Sequence, residues 1–375
     1  MRILQKRVLV PCRPQLSRAG EASAVVRKNG EILFAYSRFA AGGEDHDFSE
    51  LRGGVLDLDS GVIAGEKTLF PCPEACNQMS VSLERLPDGD IGFVFGRKSS
   101  AHANELFFSR SCDEGENWSE PVSISGTFRK IAPYWVHNND RLRVLSGGRL
   151  ALPVCIYYDG FLPEKPGYGR QIESRMAVFF SDDGGAVWRL SRLVPDGGTY
   201  LQPHRCSPEG FARFAAASKH PYRFQEPGIE PLADGRVLFY CRSMLGYMYM
   251  CYSEDNAESF SELRAMPDLI SPCSPQSIRR IPGSNRLCCV FNDRRNAAYG
   301  EENWEWRTPL NLAISDDNAA SFQQLGEIED DSHNYCYTSM TFISPDQLLL
   351  TEYESENLPN RRRNLATLKM QLAAL

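Results

Sequence analysis

Residues 111–118 read SCDEGENW and residues 181–188 read SDDGGAVW, two stretches that share the pattern S-x-D-x-G-x-x-W. Two more, SEDNAESF at 253–260 and SDDNAASF at 315–322, keep the serine and aspartate but carry Ala for Gly and Phe for Trp. Each has the chemistry of a tight turn between strands. The aspartate can accept hydrogen bonds from backbone N–H groups of its own loop, the glycine supplies a strained conformation, and the aromatic ring packs beneath. Four copies in one chain mark a repeat, which decides architecture where length leaves it open.

Between these turns a second unit recurs, a turn bearing Gly or Asp followed by an apolar strand. It reads RKNGEILFAY (27–36), LPDGDIGFVF (86–95), LSGGRLALPV (145–154), LADGRVLFYC (232–241), IPGSNRLCCVF (281–291) and SPDQLLLTEY (344–353). Asn-Gly and Asp-Gly supply the positive φ angles of hairpin turns. A spacing of about 50 to 90 residues suits propeller blades better than helical solenoids. Long helical periodicity is absent. The widest gap holds residues 195–224, read as an insertion between strands near a substrate mouth or as surface decoration.

With 42% hydrophobic, 24% charged and 11% aromatic residues among 375, the chain has the composition of an ordinary globule with a large core. A formal net charge of −7 argues against nucleic acid or an anionic membrane as partner, so any positive site must be local. The start, MRILQKRVLVPCR, has too short an apolar run for a secretory signal, and nothing later approaches a membrane span. Twelve cysteines without a CxxC pair read as buried thiols of a reducing cytoplasm. CPEAC at 72–76 lacks the nearby second pair that a metal site needs.

The repeated turn resembles the Asp box of the bacterial neuraminidase repeat, and with it the sialidase superfamily. The resemblance implies an all-β fold, a six-bladed β-propeller of four-stranded antiparallel sheets with Asp-box turns, taken here as one domain over residues 1–375. It also implies that Asp113, Asp183, Asp255 and Asp317 serve the rim of the fold and not the chemistry.

A sialic acid carries a carboxylate on the carbon where the glycosidic bond breaks. A carboxylate nucleophile would be repelled there, so the superfamily's neutral tyrosine, activated by a glutamate, suits the substrate. Arginines must hold the substrate carboxylate, and a carboxylic acid must protonate the leaving oxygen. QEPGIEPLADGRVLFYCRS (225–243) is similar to the stretch that supplies the glutamate partner and one arginine, which gives Glu226 and Arg242. WRTPLNLAISDD (306–317) gives a second arginine, Arg307, just ahead of an Asp box. NYCYTSMTFISPDQLLLTEYE (334–354) looks like the nucleophile strand, with Tyr337 as nucleophile and Glu354 steadying an arginine. GGEDHDFSE (42–50) follows the first apolar strand, where the resemblance implies an arginine and then the acid. Arg38 and Asp45 fill those places, with Asp47 or Glu44 as rivals one register away.

The chain departs from the family in one respect. No Arg-Ile-Pro precedes the first strand; LSRAGEASAVV (16–26) stands there, with Arg18 as either a substitute or a salt-bridged surface arginine. Polar runs at 137–141, 271–280 and 291–295 are left as subsite contacts or turn residues. The expectation is a retaining exo-glycosidase of sialidase type acting on a glycan or glycoconjugate, with no cofactor or metal. A hydrolase for another acidic or neutral sugar and a non-catalytic carbohydrate-binding propeller are the competing readings.

Overall fold

Each S-x-D stretch folds as a knot of side-chain-to-backbone hydrogen bonds. Ser111 Oγ accepts from the N–H of Gly115 at 2.8 Å and donates to Asp113 Oδ1, which accepts from the N–H of Asn117 at 2.9 Å. The same set recurs at Ser181 and Asp183, at Ser253 and Asp255, and at Ser315 and Asp317. The position after next needs a left-handed backbone. Gly185 has φ 96°, and a Cβ there would lie 2.1 Å from the Phe108 ring; Ala257 and Ala319 adopt φ 72° and 66° with a methyl group in place. The aromatic ring then closes the turn. Trp118 packs on Phe93 with centroids 5.1 Å apart, Trp188 on Phe108 at 5.6 Å and Phe260 on Phe239 at 5.2 Å.

These turns sit in an all-β chain. The computed structural model describes residues 1–40, 42–71, 77–100, 102–158, 174–203, 205–356 and 365–375. The CPEAC stretch lies outside them. Among the described residues, no group of three or more His, Cys, Asp or Glu is placed to hold a metal ion, and no helix is long and apolar enough to cross a membrane.

The strands form three four-stranded sheets and one 13-stranded sheet. The large sheet is made of three antiparallel runs, starting at Arg18–Val26, Asn77–Arg85 and Tyr134–Val136, joined only by the single parallel pairings Ser49↔Asn77 and Asn104↔Tyr134. Two of the four-stranded sheets run in sequence order, from Phe224–Pro231 to Arg264–Ile270 and from Ser277–Arg280 to Gln323–Glu329. The last combines both ends of the chain, because Arg2–Val10 pairs with Thr367–Ala374 beside Gln347–Glu356 and His333–Ser344.

Apolar strands buried on both faces need a neighbouring sheet on each side. Leu150–Tyr157 packs its residues with those of Val237–Ser243 and Tyr247–Ser253, and that sheet in turn packs on Leu287–Asn292. Within Leu287–Asn292, Cys288 belongs to the opposite side of the strand, and its fully buried side chain joins the cluster that holds Leu348 and Leu350 of the terminal sheet. Among the described residues one α-helix interrupts the pattern, in the stretch that the sequence reading leaves as an insertion. Pro208–Ala217 starts with Ser207 accepting from the N–H of Gly210, and Pro208 at the first turn costs no hydrogen bond. It occupies the long insertion, and Tyr222 just beyond it reaches the cavity described next.

Candidate active site

Four strands, Arg18–Val26, Asn77–Arg85, Phe224–Pro231 and His333–Ser344, carry bulges in which a non-glycine residue takes a positive φ. Glu21 (51°), Ser80 (63°), Glu226 (46°) and Tyr337 (56°) each fall at such a register shift. A left-handed non-glycine residue costs on the order of 1–3 kcal/mol, and such strain persists only where the surrounding structure fixes it. The bulge turns a side chain away from the regular alternation. All four of these side chains line one cavity of about 330 Å³.

Tyr337 donates its hydroxyl hydrogen to Glu226 Oε1 at 3.2 Å. Burial first, then the Glu226 carboxylate, pushes the phenol well above its ordinary range, against the pull of Arg307 and Arg242. The tyrosine is therefore neutral and its proton points at a carboxylate. Its ring lies against Tyr353 at 5.1 Å and beneath the Arg307 guanidinium at 5.4 Å. Glu226 Oε2 faces Arg242 Nη1 at 3.1 Å in a charged contact without hydrogen-bond alignment.

Arg242 and Arg307 are buried yet incompletely used. Arg242 Nη2 donates to Gln225 Oε1 at 2.6 Å, and Arg307 Nη1 donates to Cys336 Sγ at 3.2 Å. Arg242 Nε and Nη1 and Arg307 Nε have no hydrogen-bond partner among the described residues. Buried donors left open are what an anion would satisfy. Arg18 also lines the cavity, its side chain only 4% exposed, and it bonds both Glu21 and Asp45. Asp45 reaches the cavity while Asp47 and Glu44 do not; Asp47 instead accepts from the Glu44 N–H within its own loop.

Two expected site residues are elsewhere, for the same reason of strand parity. Phe39 packs beneath Arg18 at 4.5 Å, so its neighbour Arg38 points to the other face of the strand and pairs with Glu50. Tyr353 lines the cavity, so Glu354 points away and bonds Lys369 at 2.7 Å, steadying a lysine and no arginine. Glu21 is the carboxylate that braces Arg18.

Of the other residues in the cavity, Lys98 is not singled out in the sequence, whereas His137 and Asn138 belong to the polar run left as subsite contacts or turn residues. Lys98 donates to the Asp45 carbonyl at 2.8 Å, and burial lowers its pKa. His137 contacts the Ser80 carbonyl through Nε2 at 2.6 Å; desolvation brings it down to about 4, so it is neutral at physiological pH. The run 137–141 then divides. His137 and Asn138 face the cavity, whereas Asp140 accepts from Arg279 at 2.9 Å and Arg143 donates to Glu230 at 2.9 Å, in an ion-pair network beyond the other ends of the same strands. Within 271–280, Cys273 lies 3.8 Å from the Gln225 amide; within 291–295, Asp293 pairs with Arg295 and Arg294 bonds the Thr308 carbonyl, away from the cavity.

Solved structures resemble this all-β fold along nearly the whole chain, two sialidases among them. A Hadza microbial sialidase superposes with a TM-score of 0.71 at 14% identity over 96% of this chain and 66% of its own. Trypanosoma rangeli sialidase in complex with sialic acid gives 0.68 at 13% identity, over 98% of this chain and 58% of its own. A Dyadobacter fermentans protein of unknown function gives 0.68 at 16% identity, over 100% and 99%. No curated protein matches the chain in sequence. The chain belongs to the BNR repeat-like domain family, whose model matches residues 96–348.

Proposed function

We propose that this protein is a retaining exo-glycosidase of sialidase type that removes a terminal sialic acid or related acidic sugar from a glycoconjugate. The observation that carries the reading is the hydrogen bond from Tyr337 to Glu226 beneath two arginines with open donors. Tyr337 attacks the anomeric carbon as its proton passes to Glu226. Arg242 and Arg307 hold the substrate carboxylate, and Asp45 protonates the departing oxygen. Water then releases the sugar from the tyrosine, with Asp45 as base. No metal or cofactor takes part in these steps.

The fold in this reading is a single six-bladed propeller whose Asp-box turns hold the rim. Support comes from the hydrophobic clusters, which join each antiparallel run to the next and include one between Arg18–Val26 and the terminal sheet, as a closed ring requires. Release of a fluorophore from a sialic acid conjugate, set against a panel of uronic and neutral glycosides, tests the function. Turnover of the sialoside alone supports it. Turnover of another glycoside alone favours the second reading, a hydrolase for a different sugar, for which the missing Arg-Ile-Pro and the carboxylates on Arg18 speak. Binding without turnover of any glycoside leaves a carbohydrate-binding propeller.

A further inference from the structure

The cavity is lined by four cations, Arg18, Lys98, Arg242 and Arg307, and three carboxylates, Glu21, Asp45 and Glu226. Their pairing is uneven. Arg18, Arg242 and Arg307 each leave Nε unpartnered, but only on Arg18 are both terminal nitrogens taken by carboxylates, Nη1 donating to Asp45 Oδ1 at 2.6 Å and Nη2 to Glu21. A carboxylate on a buried guanidinium is the contact that an acidic sugar would itself make. We propose that Asp45 occupies on Arg18 the place of the substrate's carboxylate, and that an acidic sugar displaces it and so frees Asp45 to take up the proton it delivers. This inference rests on the acidic-sugar reading above.

The geometry says which partner moves. Arg18 is clamped between the rings of Phe39 at 4.5 Å and Tyr353 at 5.6 Å. Glu21 is 1% exposed, fixed by its bulge and by Ser80 Oγ. The Asp45 side chain is 56% exposed, on a loop that begins with Gly42 and Gly43 at φ 108° and 73°. Lys98 meanwhile holds the Asp45 carbonyl, so the side chain can swing while the backbone stays tethered.

The exchange also changes what Asp45 can do. Desolvation favours its neutral form, but Arg18 and then Lys98 outweigh that and hold the carboxyl well below the usual carboxylate range. An ionised carboxylate has no proton to give. Once the sugar's anion takes Arg18, Asp45 loses one cation and gains a nearby negative charge, and both effects favour protonation. The other groups facing it are present in both states: Glu21 beside Arg18, Lys98, the Tyr134 phenol, and His46 of its own loop, whose pKa burial and then Lys98 lower. A neutral sugar leaves Asp45 on Arg18, so selectivity for acidic sugars comes from turnover as well as from binding.

Calorimetric titration of the whole protein with free sialic acid, in two buffers of different ionisation enthalpy, reads the proton directly. At about pH 5 the wild type should take up a proton count approaching one per ligand bound. Asp45→Asn should take up none and bind roughly tenfold tighter, having lost its internal competitor. Asp47→Asn removes a charge from the same loop and should behave as the wild type. Binding by the wild type without proton uptake, equal uptake by Asp45→Asn, or equal tightening by Asp47→Asn overturns the exchange and leaves the acidic-sugar reading standing. Absence of any binding by the wild type overturns both.

Discussion

A phenol attacks poorly unless its proton has somewhere to go, and in the proposed reaction the Tyr337 proton would go to Glu226, which accepts its hydrogen bond at 3.2 Å. Tyr337→Phe should therefore lower turnover by orders of magnitude on every substrate, whatever its leaving group. Asp45→Ala should behave differently, slowing release of natural sugars strongly while sparing activated phenols, because a phenolate needs little protonation to leave. Kinetics of both variants on a phenolic and a natural sialoside would separate the roles. Equal losses on the two substrates in Asp45→Ala would take the acid's role from it. Arg242→Ala and Arg307→Ala should each weaken binding of free sialic acid by roughly 1.5 to 3 kcal/mol, the worth of a charged hydrogen bond. The resemblance to the sialidase superfamily places Tyr337, Glu226, Arg242, Arg307 and Asp45, and the fold brings all five to one cavity. Which of two adjacent residues faces the site was not legible in the sequence, since Arg38 lies one position from Phe39, which packs on Arg18, and Glu354 one position from Tyr353, which lines the cavity. Successive side chains of a strand point to opposite faces, so an offset of one selects the wrong face.

At the scale of the element, the turn and the bulge differ in how they announce themselves. The turn is written in residues whose side chains bond their own backbone, and four copies make it readable. Ser181 is fully buried and satisfies the Gly185 N–H at 2.9 Å, so Ser181→Ala should cost about 1–3 kcal/mol by leaving that donor unpaired. Trp188→Ala should cost about 3–5 kcal/mol, as the floor of the turn empties. Thermal unfolding would measure both, and KM should stay unchanged because neither touches the cavity. The bulge carries no such signature. Glu, Ser and Tyr are not residues that signal a left-handed backbone, and Glu21 shows itself only as a charge within RAGEASAVV. The helix at Pro208–Ala217 was missed differently, as a short amphipathic segment inside an insertion where turn signals dominated.

At the scale of the whole molecule, the ends of the chain meet in one sheet, and its ion pairs make the seam sensitive to pH. Lys6 of the first strand pairs with Glu329 at 2.7 Å, in the sheet before. Gln371 of the last strand bonds both Glu329 and Glu352 at 2.9 Å. Glu352 is fully buried with Oε2 unpartnered. Burial pushes its carboxyl up to about 7, with Glu329 adding to the effect and the Gln371 bond opposing it. A carboxyl raised on folding contributes stability fully present below its unfolded pKa, and that stability is lost as pH rises through the folded value. The loss should therefore run from about pH 4.5 to about pH 7. Glu352→Gln keeps an oxygen for Gln371 and cannot ionise. It should match the wild type in Tm near pH 4.5 and exceed it by several degrees near pH 7.5. A constant difference across that range would mean that Glu352 keeps one charge state throughout, and that the seam draws its pH response from other groups.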